Sequence, residues 1–144
     1  MFKPTWDGQL ISQEKPHGVT IVIYRRAVGG VEFLILHRTH YLPEFEGDWA
    51  WTPPSGARYP GEAVEVCAQR ELFEETGLEL VPTLTDCGTE GWWVFMAEMP
   101  REGEIRLSVE HDQFAWVGQE DAGRCQPEAV ESQIRQVAHL LENQ

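Results

Sequence analysis

Three glutamates, Glu71, Glu74 and Glu75, have a spacing that a helix would turn onto one face. Carboxylates that close repel one another unless a counter-charge sits among them. Their hard oxygens suit magnesium, with manganese as a substitute. The neighbouring charges point the same way. Residues 62–79 hold Glu62, Glu65, Glu71, Glu74, Glu75 and Glu79 against Arg70, a local charge of −5. Such a run can also be no more than a solvated helix face. Arg70 is the lone cation of the patch. Pairing with a neighbouring carboxylate, Glu62 first, would let it hold the cluster's geometry. Ions held there would neutralise a diphosphate and activate water for attack at phosphorus.

The residues around the cluster are more specific. From Gly56 the sequence reads GARYPGEAVEVCAQRELFEETGL. That is Gly56, five residues, Glu62, seven residues, Arg70-Glu71-Leu72, one residue, Glu74-Glu75, one residue, Gly77-Leu78. At every fixed position it resembles the signature of the Nudix hydrolases. The resemblance implies an α/β/α sandwich around a central mixed β-sheet, a magnesium-dependent diphosphate hydrolase, and a small-molecule nucleotide substrate. It casts Glu71, Glu74 and Glu75 as metal-binding carboxylates and Ser55 as the donor of a backbone carbonyl to the metal. Glu110 resembles the extra acid that some members bring from a later loop, as ligand or general base.

Outside the signature, Glu32–Leu36, Trp51–Gly56 and Ile105–Trp116 resemble the asymmetrical diadenosine tetraphosphate hydrolases, which implies cleavage to ATP and AMP. Relatives often carry Lys where this chain has Ser55. Arg58 or Arg38 is then the candidate phosphate cation. Trp92, Trp93 and Phe114 are the candidate stacking groups, with Tyr41, Trp49, Trp51 and Phe95 as further aromatics. Core packing is the ordinary fate of any one of them. Trp92 and Trp93, adjacent in a strand, must face opposite ways. His111 can touch phosphate or simply pack. Two other readings stay open: a nucleoside triphosphate pyrophosphohydrolase of the housecleaning or pterin triphosphate type, and a non-catalytic nucleotide-binding domain.

The pattern of apolar residues supplies the elements that would position these groups. Val19–Arg26 and Val31–Arg38 read as a hairpin turned at Ala27-Val28-Gly29-Gly30. Trp49–Thr52 is a short extended segment, and Ser55–Gly61 a loop. Glu62–Thr76 is the clearest helix, with Ala63, Val66, Cys67, Leu72 and Phe73 on its apolar stripe and Gly77 closing it. Strand signals follow at 78–81, 92–97, 104–107 and 114–117. Pro127 opens a last helix carrying Val130, Ile134, Val137, Ala138 and Leu141. Strands alternating with two helices predict a mixed sheet with helices packed on it.

At 144 residues, with no repeat or long linker, the chain reads as one domain over 1–144. Its net charge of −13 argues against a nucleic-acid duplex or an anionic membrane as partner. No apolar run spans a bilayer, and no leader pattern opens the chain. Three cysteines without a CxxC pair fit a reducing cytoplasm. The pattern gives no oligomeric state.

Overall fold

The computed structural model describes residues 3–4 and 10–143. Most of the opening stretch, on which the leader reading rests, lies outside them. Lys3–Pro4 (β1) and Leu10–Ile11 (β2) form a small antiparallel pair. The central sheet is built from Gly18–Ala27 (β3), Gly30–Arg38 (β4), Trp51–Thr52 (β5), Ser55–Ala57 (β6), Thr83–Thr89 (β7), Trp92–Glu98 (β8) and His111–Gly118 (β9). Its path runs β5-β4-β3-β8-β7, with β6 also on β3 and β9 also on β4. β3 and β8 run parallel and the other pairs antiparallel, so the sheet is mixed.

Val64–Thr76 (α1) covers one face and Glu128–Glu142 (α2) the other. β3 shows why two faces are needed. Val19, Ile21 and Ile23 pack with Leu34, Leu36 and Leu72 on the α1 side. Val22 and Tyr24 pack with Phe33, Ile35, Ile134 and Val137 on the α2 side. A strand buried on both sides cannot alternate apolar with polar, and this one does not. The result is the expected α/β/α sandwich.

Several elements differ from the sequence pattern. α1 buries Cys67, Ala68, Glu71, Leu72, Glu75 and Thr76, while Val66 and Phe73 are exposed. The buried stripe therefore contains two carboxylates, which blurs the apolar period. Residues 78–81 and 104–107 are not strands. Leu78, Leu80, Ile105 and Leu107 pack on the α1-side core without a ladder, so their apolar spacing reports burial alone. β7, by contrast, has little apolar content. It is a largely exposed edge strand whose register against β8 breaks between Leu84 and Gly88. Gly77 ends α1 at φ 77°, with its N–H bonded to the Phe73 carbonyl. Cys67 and Cys125 are buried free thiols, and Cys87 is partly buried.

The facing of α1 can be tested directly. Leu72→Ala should cost about 2–5 kcal/mol in urea unfolding, as for a core leucine. Phe73→Ala, one residue on but exposed, should cost no more than about 0.5 kcal/mol. Equal losses would mean that the helix is turned differently.

Candidate active site

The site begins where β6 lies on β3, with Thr20 opposite Ser55 and Val19 opposite Gly56. This pairing presses the Gly56 backbone against α1. A Cβ on Gly56 would stand 2.0 Å from Glu71 Cδ, so a side chain there and the carboxylate exclude each other. The Ser55 N–H donates to Glu75 Oε1 at 3.2 Å. Glu71 and Glu75 are both buried.

Arg70 organises the cluster. Its Nε and Nη2 hold both oxygens of Glu62 at 2.8 and 2.9 Å. Nη1 donates to Glu71 Oε1 at 2.8 Å and to Glu74 Oε2 at 3.4 Å. Nη2 also reaches the Ala57 carbonyl at 3.0 Å, and the guanidinium lies 3.9 Å from the Tyr59 ring centroid. Burial opposes the charge on Arg70, but the bonds and charges of Glu62 and Glu71 more than offset it and raise its pKa. Burial also pushes Glu62 upward, yet the Arg70 and Tyr59 N–H bonds hold it below the usual carboxylate range.

The inner pair behaves differently. Burial raises Glu71, against the pull of Glu75 and Arg70. Burial, then the hydrogen bond and charge of Glu71, raise Glu75 well above the usual range. Both shifts favour the protonated form, and that of Glu75 does so more strongly. His111 faces this pair, its Nε2 3.9 Å from Glu75 Oε1. Burial first, then Arg38, brings the His111 pKa down to about 4, so its ring is neutral at pH 7 and the contact is no ion pair. Buried His111 Nδ1 has no partner among the described residues.

Among the described residues, no three His, Cys, Asp or Glu side chains converge as a closed metal cage. The donor chemistry still suits a hard divalent cation. Burial penalises the charge on Glu71 and Glu75, a penalty that a bound cation would offset, and Glu74 stands at the mouth, restrained by one 3.4 Å contact.

The cluster opens into a cleft of about 1010 Å³. Ser55, Glu71, Glu74, Glu110, His111 and Arg38 line its charged part. Its other part is neutral and holds Thr20, Trp92 and the α2 residues Ser132, Gln133 and Gln136. Trp92 is fixed there. Its Nε1 donates to Thr20 Oγ1 at 2.9 Å, and its ring lies over Gly18, where a Cβ would come within 2.4 Å. Gln136 accepts from the Gly88 N–H at 3.1 Å and ties α2 to the β7–β8 turn. Trp49 stands on the rim at φ 68°, a left-handed conformation that costs a non-glycine residue roughly 1–3 kcal/mol. The Arg38 guanidinium lies 6.0 Å from its ring.

Three expected substrate contacts are not brought to this cleft. Arg58 is buried and donates to the carbonyls of Pro16, Glu62 and Glu14 at 2.8–2.9 Å, so it braces the chain before α1. Trp93 packs on the α1-side core. Phe114 pairs with Leu36 on the α1 side of β9 and is partly exposed away from the cleft lining. Sequence reasoning missed Thr20, Tyr59, Gln133 and Gln136. The hydroxyl and amides carry no local pattern, and only the fold brings them to the cleft. Tyr59, inside the Gly56–Leu78 signature, could have been noticed as an aromatic close to Arg70.

The family profile described as NUDIX domain matches residues 14–141. The chain is 32% identical over 114 residues to the asymmetrical bis(5'-nucleosyl)-tetraphosphatase of Caenorhabditis elegans, covering 71% of this chain and 78% of that protein. It is 33% identical over 127 residues to the mouse protein of the same name, covering 74% and 80%. The crystal structure of a C. elegans Ap4A hydrolase binary complex superposes with a TM-score of 0.68 at 27% identity, over 88% of this chain and 98% of that one.

The upward shift of Glu75 has a measurable consequence in the presence of a chelator. Glu75 titrates higher when folded than when unfolded. Its contribution to stability is therefore complete below its ordinary pKa of 4.5 and is lost as pH rises through the folded value. Glu75→Gln keeps the neutral form at every pH. In chelator, its urea midpoint should match the parent's at acidic pH and exceed it increasingly toward pH 8. A constant difference across that range would refute the upward shift of Glu75.

Proposed function

Because the chain belongs to the Nudix family and is a Nudix hydrolase, we propose that it hydrolyses diadenosine tetraphosphate to ATP and AMP with Mg²⁺, or Mn²⁺ in its place. One observation carries this reading: a single cleft joins the carboxylates of Glu71 and Glu74 to the fixed Trp92 ring. Phosphates and a base can thus be held together. The likeness to two proteins named for the asymmetrical reaction supports the same substrate.

Glu71, Glu74 and Glu75 would hold the cation, with the Ser55 carbonyl and Glu110 as further oxygen donors. Once bound, it supplies charge neutralisation on the phosphates and a more acidic water. Arg70 keeps the carboxylates in place. Arg38, the arginine of the cleft lining, meets the phosphate chain in a protein otherwise at −13. Trp92 stacks a base. Glu110, exposed at the mouth, takes the proton from the attacking water. Water adds to phosphorus, the anhydride P–O bond breaks, and the leaving phosphate takes the electron pair.

Chromatography of the products tests the substrate. Equal amounts of AMP and ATP from the dinucleotide are expected. Preferential release of pyrophosphate and a monophosphate from a nucleoside triphosphate would replace this reading with a pyrophosphohydrolase. No turnover on any nucleotide with Mg²⁺ would favour a binding domain. Two variants test the roles. Glu110→Gln should lower kcat by about 10²–10⁴ with little change in KM. Trp92→Ala should weaken dinucleotide binding by about 1–3 kcal/mol and leave inorganic tripolyphosphate inhibition unchanged. An unchanged kcat in the first would return the base role to Glu71. Equal losses for both ligands in the second would remove the stacking argument.

A further inference from the structure

Beside the cleft but outside the carboxylate cluster, His37 is fully buried near the end of β4, with an acceptor at each ring nitrogen. Nε2 lies 2.9 Å from the Phe45 carbonyl, and Nδ1 lies 2.9 Å from Asp112 Oδ1. A carbonyl can only accept, so Nε2 carries a hydrogen and the ring's orientation is set. The ring also stands edge-on to Trp51, 5.0 Å between centroids.

Both partners border the site. His37 pairs with Gln113 and Arg38 with His111, which leaves Asp112 as the extra residue of a β-bulge. A bulge redirects the side chains beside it. Here it stands next to His111, with Glu110 one residue further on, and both line the cleft. Phe45 lies in the loop between β4 and β5. Its ring stacks on Tyr41 at 4.8 Å, and Tyr41 and Trp49 of that loop also line the cleft. An exposed bond from Gln113 Nε2 to the Pro43 carbonyl, 2.9 Å, runs parallel to this link. His37 makes the buried version of it.

We propose that His37 is a positioning residue that locks two walls of the cleft together. Through Asp112 it fixes the bulge that aims Glu110 and His111. Through Phe45 it fixes the loop that presents Tyr41. The proposal rests on Glu110 acting in this cleft, as read above. The paired positions are not adjacent in sequence, and neither residue touches the carboxylate cluster in any contact described above. Their effect on turnover must therefore pass through backbone placement.

Asp112→Ala, Asp112→Asn and His37→Ala in the full chain test it by dinucleotide kinetics and by amide hydrogen exchange. Asp112→Ala should lower kcat about 10–100-fold, the effect of misplacing a reacting group, with KM little changed. Asp112→Asn should restore most of kcat, because its amide can still bond Nδ1. Amides in 39–46 and 108–113 should exchange faster in both Ala variants and at the parent rate in Asp112→Asn. Asp112 lies at the surface, so its variants keep the test usable if His37→Ala fails to fold. A parent inactive on the dinucleotide would refute the proposed reaction and leave the exchange comparison standing. Parent-rate exchange in either segment of Asp112→Ala, or a kcat loss that Asp112→Asn does not restore, would overturn the proposal.

Discussion

The site depends on one guanidinium. Arg70 makes four bonds to three carboxylates and one to a carbonyl, in a segment carrying six acids. Glu62, Glu71 and Glu74 could not stay this close without it. A planar fork suits the task better than a point charge, because two of its nitrogens grip Glu62 while a third reaches Glu71 and Glu74. Tyr59 beneath the guanidinium limits how far it can turn.

That arrangement leaves Glu71 and Glu75 as the unbalanced part. Burial penalises their charge and pushes both toward the protonated form. A buried carboxylate pair is thus held in a state that a bound hard cation would relieve. Gly56 is part of the same solution, because only a residue without Cβ lets the β6 backbone come this close to Glu71. The remaining cleft needs less strain. Trp92 rests on Gly18 and Thr20, and α2 contributes uncharged side chains opposite. Charged and uncharged side chains thus line one and the same opening.

Legibility in the sequence followed the locality of the interactions. The carboxylates, Arg70 and the closing Gly77 lie within one helix and its turns, and their spacing carries them. The β3–β4 hairpin was legible for the same reason. Apolar spacing then misled at 78–81 and 104–107, where side chains are buried without a strand ladder. It missed β7, whose ladder exists without burial. The apolar stripe of α1 was misjudged at Val66 and Phe73, because Glu71 and Glu75 occupy part of the buried face. Arg58 shows a different limit. Near the signature it resembles a phosphate cation, yet the carbonyls that claim it come mainly from the distant segment 14–16.

The central question is whether Arg70 orders the carboxylates by geometry rather than by charge alone. Mn²⁺ titration followed by electron paramagnetic resonance, on the parent and on Arg70→Lys, measures this without turnover. Lysine keeps the charge and loses the fork. Arg70→Lys, though it removes none of the proposed metal ligands, should weaken Mn²⁺ binding about 10–100-fold, the usual effect of losing a residue that orients ligands. Mn²⁺ binding at the parent affinity in that variant would contradict it.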